Sequence, residues 1–277
     1  MFRITFLWLI SLLVLIPCLS LSQIHIVAVG GASFYKPRNT VVAVRLAWEY
    51  NADGVMLDIF QSKDAEWFAF SPQDISQYSD REYELQGLKS KRIKKISLHN
   101  SLSRSSLKYQ ISTLDDVISL LPEDKFFILK LDEKENELKS LFNTLKNHRN
   151  YCAVRYISSN WSLLKKLKDL VPKDKIYYMW NGFSSLGITI DNLKEFGISS
   201  IVLKSTQLNK QGLQWLNESG IKVHVMLDSE EDGQGLVHEF PSVVALFTTR
   251  PQWVRTSISS ISNEDAVLMA WDTMRLP

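Results

Sequence analysis

Residues 126–170 read FFILKLDEKENELKSLFNTLKNHRNYCAVRYISSNWSLLKKLKDL and contain the same pattern twice. Phe126–Leu131 is a short apolar run that predicts a buried strand, and Glu135–Lys146 repeats its apolar residues at helical spacing. Cys152–Tyr156 then predicts a second strand, and Trp161–Leu170 a second helix. Strands that alternate with helices predict a parallel sheet covered by helices.

The alternation continues on both sides of this stretch. Toward the N-terminus it predicts strands at Ile24–Val29 and Gly54–Ile59, with a helix at Thr40–Tyr50 between them. Toward the C-terminus it predicts four further strands, at Ile176–Trp180, Ser200–Leu203, Lys222–Met226 and Val243–Phe247. The chain has 277 residues, and a barrel of eight strand–helix units typically needs about 250. We therefore predict an α/β fold, a single-domain (β/α)8 TIM barrel, with an insertion at Ser71–Ser112 between the second and third barrel strands.

Composition excludes several classes of protein. Hydrophobic residues make up 45% of the chain, which excludes a disordered protein because a sizeable core is available. The net charge of +2 is too small for a general nucleic-acid binder. The two cysteines, Cys18 and Cys152, cannot form a disulfide framework or a cysteine-based zinc site. Because Cys152 lies in an apolar segment, we predict that its thiol is buried.

The N-terminus has the features of a targeting segment. Arg3 precedes an apolar run at Ile4–Ile16, and small residues lie just before Gln23. This pattern predicts a signal peptide over residues 1–22 and an exported protein, secreted, periplasmic or within the secretory pathway. An uncleaved membrane anchor is the open alternative. The barrel then covers residues 23–257, followed by a C-terminal tail at 258–277.

In such a barrel the chemistry is placed where the strands end and the loops to the following helices begin. There the sequence has Asp58, Lys130 and Arg38, and Trp180 adds aromatic surface at the end of another strand. The five histidines do not occur at these strand ends. Two of them, including His224, lie inside predicted strands, which favours places in the core or in the interior of the barrel.

Several motifs resemble those of the glycerophosphodiester phosphodiesterase family. That family reads roughly H-R-G-A-S, P-E-N-T, A-D-G-(I/V)-E-x-D and K-D in its first part. This chain has Val29–Ser33, Pro37–Thr40, Ala52–Asp58 and Lys63–Asp64 in the same order, and Thr248–Pro251 resembles the family's later T-D-R-P. The resemblance covers nearly the whole chain after the targeting segment, and it implies a TIM barrel.

The resemblance implies no catalytic residue in this chain. The family uses two histidines as general acid and base, and these positions hold Val29 and Ser71. Valine cannot transfer a proton, and a serine without a partner is a poor base.

The resemblance implies no metal or other cofactor either. The family's carboxylate ligands for a divalent cation fall on Arg38, Met56 and Ile128, so that Asp58 remains as one carboxylate beside Lys130. A hard cation such as Mg²⁺ or Ca²⁺ needs several oxygen ligands.

We predict that Arg38 takes the place of the cation and forms a salt bridge with Asp58, with Lys130 close by. Since Arg and Lys suit phosphate and carboxylate groups, the same residues with Trp180 predict a metal-free site for an anionic ligand, a phosphate-bearing small molecule or a phospholipid headgroup. An ordinary ion pair without a ligand is the simpler alternative.

Two other functions remain open. One is an active but divergent phosphoric diester hydrolase acting on glycerophosphodiesters or lysophospholipids through His99, Asp74 and Asp58. The other is a structural or interaction barrel with no small-molecule site. The basic cluster at Lys89–Lys95 predicts contact with an acidic membrane surface, with a solvated loop face as the alternative. The sequence indicates no oligomeric state.

Overall fold

Eight parallel strands form the centre of the protein. The structure, a computed structural model, describes residues 24–99, 108–131, 138–180, 190–228 and 233–259. In chain order the barrel strands are β1 (His25–Val29), β2 (Gly54–Gln61), β3 (Phe126–Lys130), β4 (Val154–Ser158), β5 (Ile176–Met179), β6 (Ser200–Lys204), β7 (Lys222–Met226) and β8 (Ala245–Thr248). Each strand pairs in parallel with the next, and β8 pairs back onto β1, so the sheet is closed. The predicted (β/α)8 TIM barrel is confirmed.

A helix follows each strand and covers the outside of the barrel. The helices are α1 (Val41–Glu49), α2 (Leu114–Ile118), α3 (Leu138–Lys146), α4 (Trp161–Lys168), α5 (Ile190–Phe196), α6 (Lys210–Glu218), α7 (Gln234–Glu239) and α8 (251–259). Polar side chains fix where several of them begin: Thr40, Asn160 and Asn209 each accept a hydrogen bond from a backbone N–H three residues later.

The fourth strand begins two residues later than the sequence predicts. Tyr151–Ala153 forms a short 3₁₀ turn, and β4 begins at Val154. Cys152 lies in this turn and is exposed, so the predicted burial of its thiol is wrong. The error arose because an apolar run does not distinguish the end of a loop from the start of a strand.

Side chains of the strands alternate between two separate cores. Val29, Met56 and Ile128 pack with one another inside the barrel. Their neighbours Leu57 and Leu129 face outward and pack against the helices. Because the side-chain period of a strand is two residues, Asp58 and Lys130 must point inward as Met56 and Ile128 do, one layer closer to the C-terminal end of the barrel.

The segment between β2 and α2 forms a small layer of its own. Trp67–Ala69 pairs antiparallel with the end of β2 and also with Ser112–Thr113. Two short helices, Ile75–Tyr78 and Ser90–Ile93, lie between these strands in the chain. Their apolar side chains form a third cluster with Phe60, Phe68, Phe70, Leu85, Ile96, Leu98 and Ile111. This layer holds residues 71–78 beside the barrel mouth.

No helix within the described residues is long and apolar enough to cross a membrane. The predicted signal peptide at 1–22 lies outside the described residues. Of the predicted tail, residues 258 and 259 belong to α8, and 260–277 lie outside the described part.

Candidate functional site at the barrel mouth

Asp58 is the centre of a charged network at the C-terminal mouth of the barrel. Asp58 on β2 lies opposite Lys130 on β3 in the strand register. Lys130 Nζ donates to Asp58 Oδ1 over 3.1 Å, and Arg38 Nη2 donates to Asp58 Oδ2 over 2.9 Å. The predicted approach of Arg38, Asp58 and Lys130 is therefore confirmed, whereas a role of these residues in ligand binding stays a prediction.

Arg38 reaches Asp58 because the loop between β1 and α1 turns sharply at its start. Gly30 has φ +67°, and a Cβ atom added there would lie 2.8 Å from Arg38 Cβ. Only glycine fits both the left-handed conformation and this close approach. The other terminal nitrogen, Nη1, lies 3.0 Å from Asp74 Oδ2, so the guanidinium is held between two carboxylates.

Asn39 fixes Asp58 from the remaining side. Its Nδ2 donates to Asp58 Oδ2, and its Oδ1 accepts from the Asp58 backbone N–H, both over 3.1 Å. Asn39 is fully buried with φ +60°, a conformation that asparagine tolerates better than most residues. The sequence did not identify Asn39 as a site residue, nor did it predict the pairing of Asp74 with Arg38. The signal that could have identified Asn39 is its place in the motif Pro37–Thr40.

The network keeps Asp58 ionised. Burial alone would raise the pKa of its carboxyl group, but the charges of Arg38 and Lys130, with hydrogen bonds from Asn39 and Lys130, hold this pKa below its ordinary value. Tyr78 lies at the edge of the same network. Burial raises the pKa of its hydroxyl, although the nearby charge of Arg38 acts in the opposite direction.

Trp180 is not brought to this network, contrary to the prediction. It is buried, and its ring packs edge-on against Tyr178 in the apolar layer between strands and helices. In β5 it is Tyr177 and Met179 that face the barrel interior. Trp180 follows the opposite alternation, so its ring contributes to the outer core.

The positions of the family's acid and base offer no proton-transfer pair. Val29 is buried inside the barrel, and the Ser71 hydroxyl donates to Gln73 Oε1 over 3.1 Å. His99, the histidine considered for a divergent hydrolase, has its Nδ1 3.8 Å from Asp80 Oδ1. Its backbone N–H donates to the Tyr78 carbonyl.

The described residues at the mouth do not fit a divalent cation. Asp58 and Asp74, the carboxylates described there, both bind Arg38, whose positive charge lies between them. Met56 and Ile128, the other positions implied as ligands, are buried in the apolar barrel interior. Within the described residues no group of three or more His, Cys, Asp or Glu side chains is placed to hold a metal ion.

A closed eight-stranded barrel with charged residues at its C-terminal mouth places the chain in the class of TIM barrels. Comparison with solved structures narrows this to the fold of the glycerophosphodiester phosphodiesterases. A phosphodiesterase from Oleispira antarctica, solved with sn-glycerol-3-phosphate, is 18% identical with a TM-score of 0.74 over 85% of this chain and 96% of that one. A glycerophosphodiester phosphodiesterase from Agrobacterium tumefaciens is 17% identical with a TM-score of 0.69, over 83% and 98%. One from Thermotoga maritima is 16% identical with a TM-score of 0.67, over 83% and 96%.

The fold implied by the sequence resemblance is thereby confirmed, and the level of identity supports the fold alone. No protein-family model matches the sequence, and no curated protein matches it.

Proposed function

We propose that the protein is an exported pseudoenzyme, a barrel like those of the glycerophosphodiester phosphodiesterases that binds a phosphate-bearing anion without hydrolysing it. The placement of the Arg38 guanidinium, 2.9 Å from Asp58 and 3.0 Å from Asp74, carries the proposal. A fixed organic cation occupies the place that the resemblance assigns to a divalent metal. It neutralises the carboxylates but offers no open coordination position to polarise a phosphoryl oxygen.

The loss of proton-transfer groups supports the absence of hydrolysis independently. General acid–base catalysis on a phosphodiester needs titratable side chains within hydrogen-bond reach of the reacting oxygens. Val29 and Ser71 supply none. Because the described residues supply neither the metal ligands nor the acid–base pair, we expect the barrel to bind a ligand without hydrolysing it.

Binding of an anion is supported by the exposure of the two cations. The Arg38 and Lys130 side chains are 27% and 31% exposed, whereas Asp58 is 8% exposed. A ligand that enters the mouth therefore meets the two cationic side chains before it meets Asp58. Charge-assisted hydrogen bonds from Arg and Lys are the usual means of binding phosphate.

The binding test uses calorimetry with sn-glycerol-3-phosphate, the compound present in the Oleispira antarctica structure. Arg38→Met and Lys130→Met should each weaken binding roughly tenfold, since hydrogen bonds to charged groups contribute about 1.5 to 3 kcal/mol. Lys210→Met, on the exposed face of α6, is the matched control and should bind as the wild type does. If both mouth variants bind normally, the proposed anion site is wrong. Absence of binding to the wild type would favour the interaction barrel without a small-molecule site.

The catalytic test uses glycerophosphocholine with Mg²⁺ or Ca²⁺. We expect no release of glycerol phosphate above background, with or without chelator. Arg38→Glu restores one carboxylate but should not restore hydrolysis because Val29 and Ser71 are unchanged. Chelator-sensitive turnover by the purified wild-type protein would instead establish a divergent hydrolase.

The basic cluster at Lys89–Lys95 supports contact with an acidic membrane surface as a part of this function. Lys89, Lys91, Arg92 and Lys95 are exposed, while Lys94 pairs with Glu66. The cluster lies in the segment that follows the C-terminal end of β2, near the same end of the barrel as the mouth. Sedimentation with phosphatidylserine vesicles should decrease in Lys91→Glu/Arg92→Glu and remain unchanged in Lys210→Glu. Equal sedimentation of all three proteins would contradict this contact.

Export is supported by the order of charge, apolar run and small residues before Gln23. Sequencing of the mature N-terminus should begin near Gln23. A mature chain that begins at Met1 and stays with the membrane would establish the anchor, and one that begins at Met1 in the cytoplasm would contradict export.

A further inference from the structure

A cavity lies at the N-terminal end of the barrel, opposite the mouth. Its volume is about 520 Å³. Its lining includes residues near the beginnings of several strands, among them His25, Phe126, Arg155, Tyr177 and His224, together with residues of the loops that precede the strands. The proposed function uses none of these residues, because chemistry in this fold belongs to the opposite end.

Arg155 is the main charged group of this cavity. It shares the inward alternation of Ile157, which packs inside the barrel. Its guanidinium carbon lies 3.7 Å from the centroid of the Phe126 ring, and Nη1 donates to the Tyr177 hydroxyl over 2.8 Å. In the described ranges, no carboxylate lies within ion-pair distance of this guanidinium. The ring and the hydroxyl fix its orientation, and its charge is left for an external anion.

His224 presents an unsatisfied polar atom to the same cavity. The residue is 5% exposed, and its buried Nε2 has no hydrogen-bond partner. Its ring packs edge-on against Tyr177, with ring centroids 5.0 Å apart. Burial, together with the charges of Arg155, Lys222 and His25, lowers the pKa of His224 to about 3. A buried nitrogen without a partner is costly, so a ligand oxygen here would remove a penalty.

The charges around the cavity leave a cationic surplus near Arg155. Most of the acidic residues nearby already have partners: Glu123 pairs with Arg149, and Asp124 and Asp53 both lie near Lys125. Burial raises the pKa of the Tyr177 hydroxyl, and the charge of Asp174 acts in the same direction, which places this carboxylate near the ring. Lys222 and Lys175 line the same cavity. Lys222 is exposed, which places a second cation where a ligand would enter.

We propose that this cavity binds a small organic anion whose oxyanion group pairs with Arg155 and reaches His224. The apolar body of the anion lies against the rings of Phe126 and Tyr177. The volume lies within the usual range for small-molecule pockets, roughly 300 to 1,000 Å³, and is larger than an inorganic ion needs. Carboxylate and phosphate share the chemistry that Arg155 recognises.

Calorimetry on the full-length protein tests this with benzoate and phenyl phosphate, and with benzyl alcohol as a ring without charge. Binding of either aromatic anion, with benzyl alcohol at least tenfold weaker, supports the site, and the tighter of the two anions identifies the oxyanion group. Equal or tighter binding of benzyl alcohol overturns it. In the wild-type protein, nuclear magnetic resonance signals of the His224 ring should shift on saturation with the bound anion, and unchanged signals would contradict the proposal.

Variants at the two ends of the barrel locate the site. Arg155→Met should weaken binding of the aromatic anion roughly tenfold or more, as loss of a charged hydrogen bond implies. Tyr177→Phe keeps the ring but removes the hydroxyl that orients Arg155, so it should weaken binding several-fold even if Arg155→Met does not fold. Lys210→Met, on the exposed face of α6, is the control and should bind the anion normally. Loss of binding in Arg38→Met with retention in Tyr177→Phe would place the anion at the mouth and refute the second site without affecting the proposed function.

Discussion

Replacing Arg38 by methionine should destabilise the protein measurably, because the buried carboxylate of Asp58 and the partly exposed carboxylate of Asp74 lose their shared partner. The Asp58 and Asp74 side chains are 8% and 17% exposed. Removing one partner of a buried ion pair costs about 3 to 5 kcal/mol. Here Lys130 and Asn39 still bind Asp58, and Asp74 is nearer to solvent, so we expect a loss of about 2 to 3 kcal/mol. For a chain of this size that corresponds to a melting temperature lower by roughly 5 to 10 °C.

Thermal denaturation at pH 7, followed by circular dichroism, measures this effect in Arg38→Met, Asp58→Asn and the double variant. Because the two side chains are in contact, the double variant should be less destabilised than the sum of the single variants. Arg38→Glu should be the least stable of the set, since it places three carboxylates together. If Arg38→Met melts at the wild-type temperature, or if the two single effects simply add, the coupling of Arg38 with Asp58 contributes nothing and the metal-replacement argument fails.

Three further outcomes follow from the geometry of single residues. Since the pKa of Asp58 is held below 3.8, its contribution to stability is present above that pH and is lost as the pH falls through the folded-state pKa. In urea unfolding below pH 4, Asp58→Asn should therefore lose less stability than the wild type loses. Equal losses of stability in the two proteins would contradict this. His224 takes up a proton below pH 6.5 in the unfolded chain, but only near pH 3 in the folded chain. The free energy of unfolding of the wild type should therefore fall by roughly 3 kcal/mol from pH 7 to 4 relative to that of His224→Phe. Parallel pH profiles of the two proteins would refute this prediction. Gly30→Ala should displace Arg38 and cost about 1 to 3 kcal/mol through the strained φ, as measured by chemical denaturation, and a neutral effect would show that the loop adapts.

The barrel could be predicted from the sequence because its strands are short apolar runs separated by helical periodicity. Phe126–Leu131 and Ile190–Phe196 illustrate this: each carries its own local signal for a strand or a helix. The approach of Arg38, Asp58 and Lys130 was predictable as well. The three positions follow from the motif spacing, and a parallel pairing of β2 with β3 places Asp58 beside Lys130.

The features that could not be predicted depend on the orientation of side chains and on contacts between distant segments. Trp180 ends a strand, but the alternation of β5 turns its ring outward, and only the register of the neighbouring strands reveals this. Asp74 joins Arg38 because the layer between β2 and α2 folds back over the mouth, which no local pattern indicates. The cavity around Arg155 and His224 combines side chains from strands far apart in the chain, so no spacing rule brings them together.

The closure of the barrel also determines when the protein can fold. His25 of β1 lies opposite Ala245 of β8 in the parallel strand register, and almost the whole described chain lies between these two residues in the sequence. Contacts between such distant segments form slowly, and these cannot form until β8 has been made and released. If the chain is exported as it is synthesised, as we propose, it would therefore stay open during its passage through a membrane. A chain cut short before Ala245 would keep two unpaired strand edges, and unpaired edges are the usual templates for aggregation.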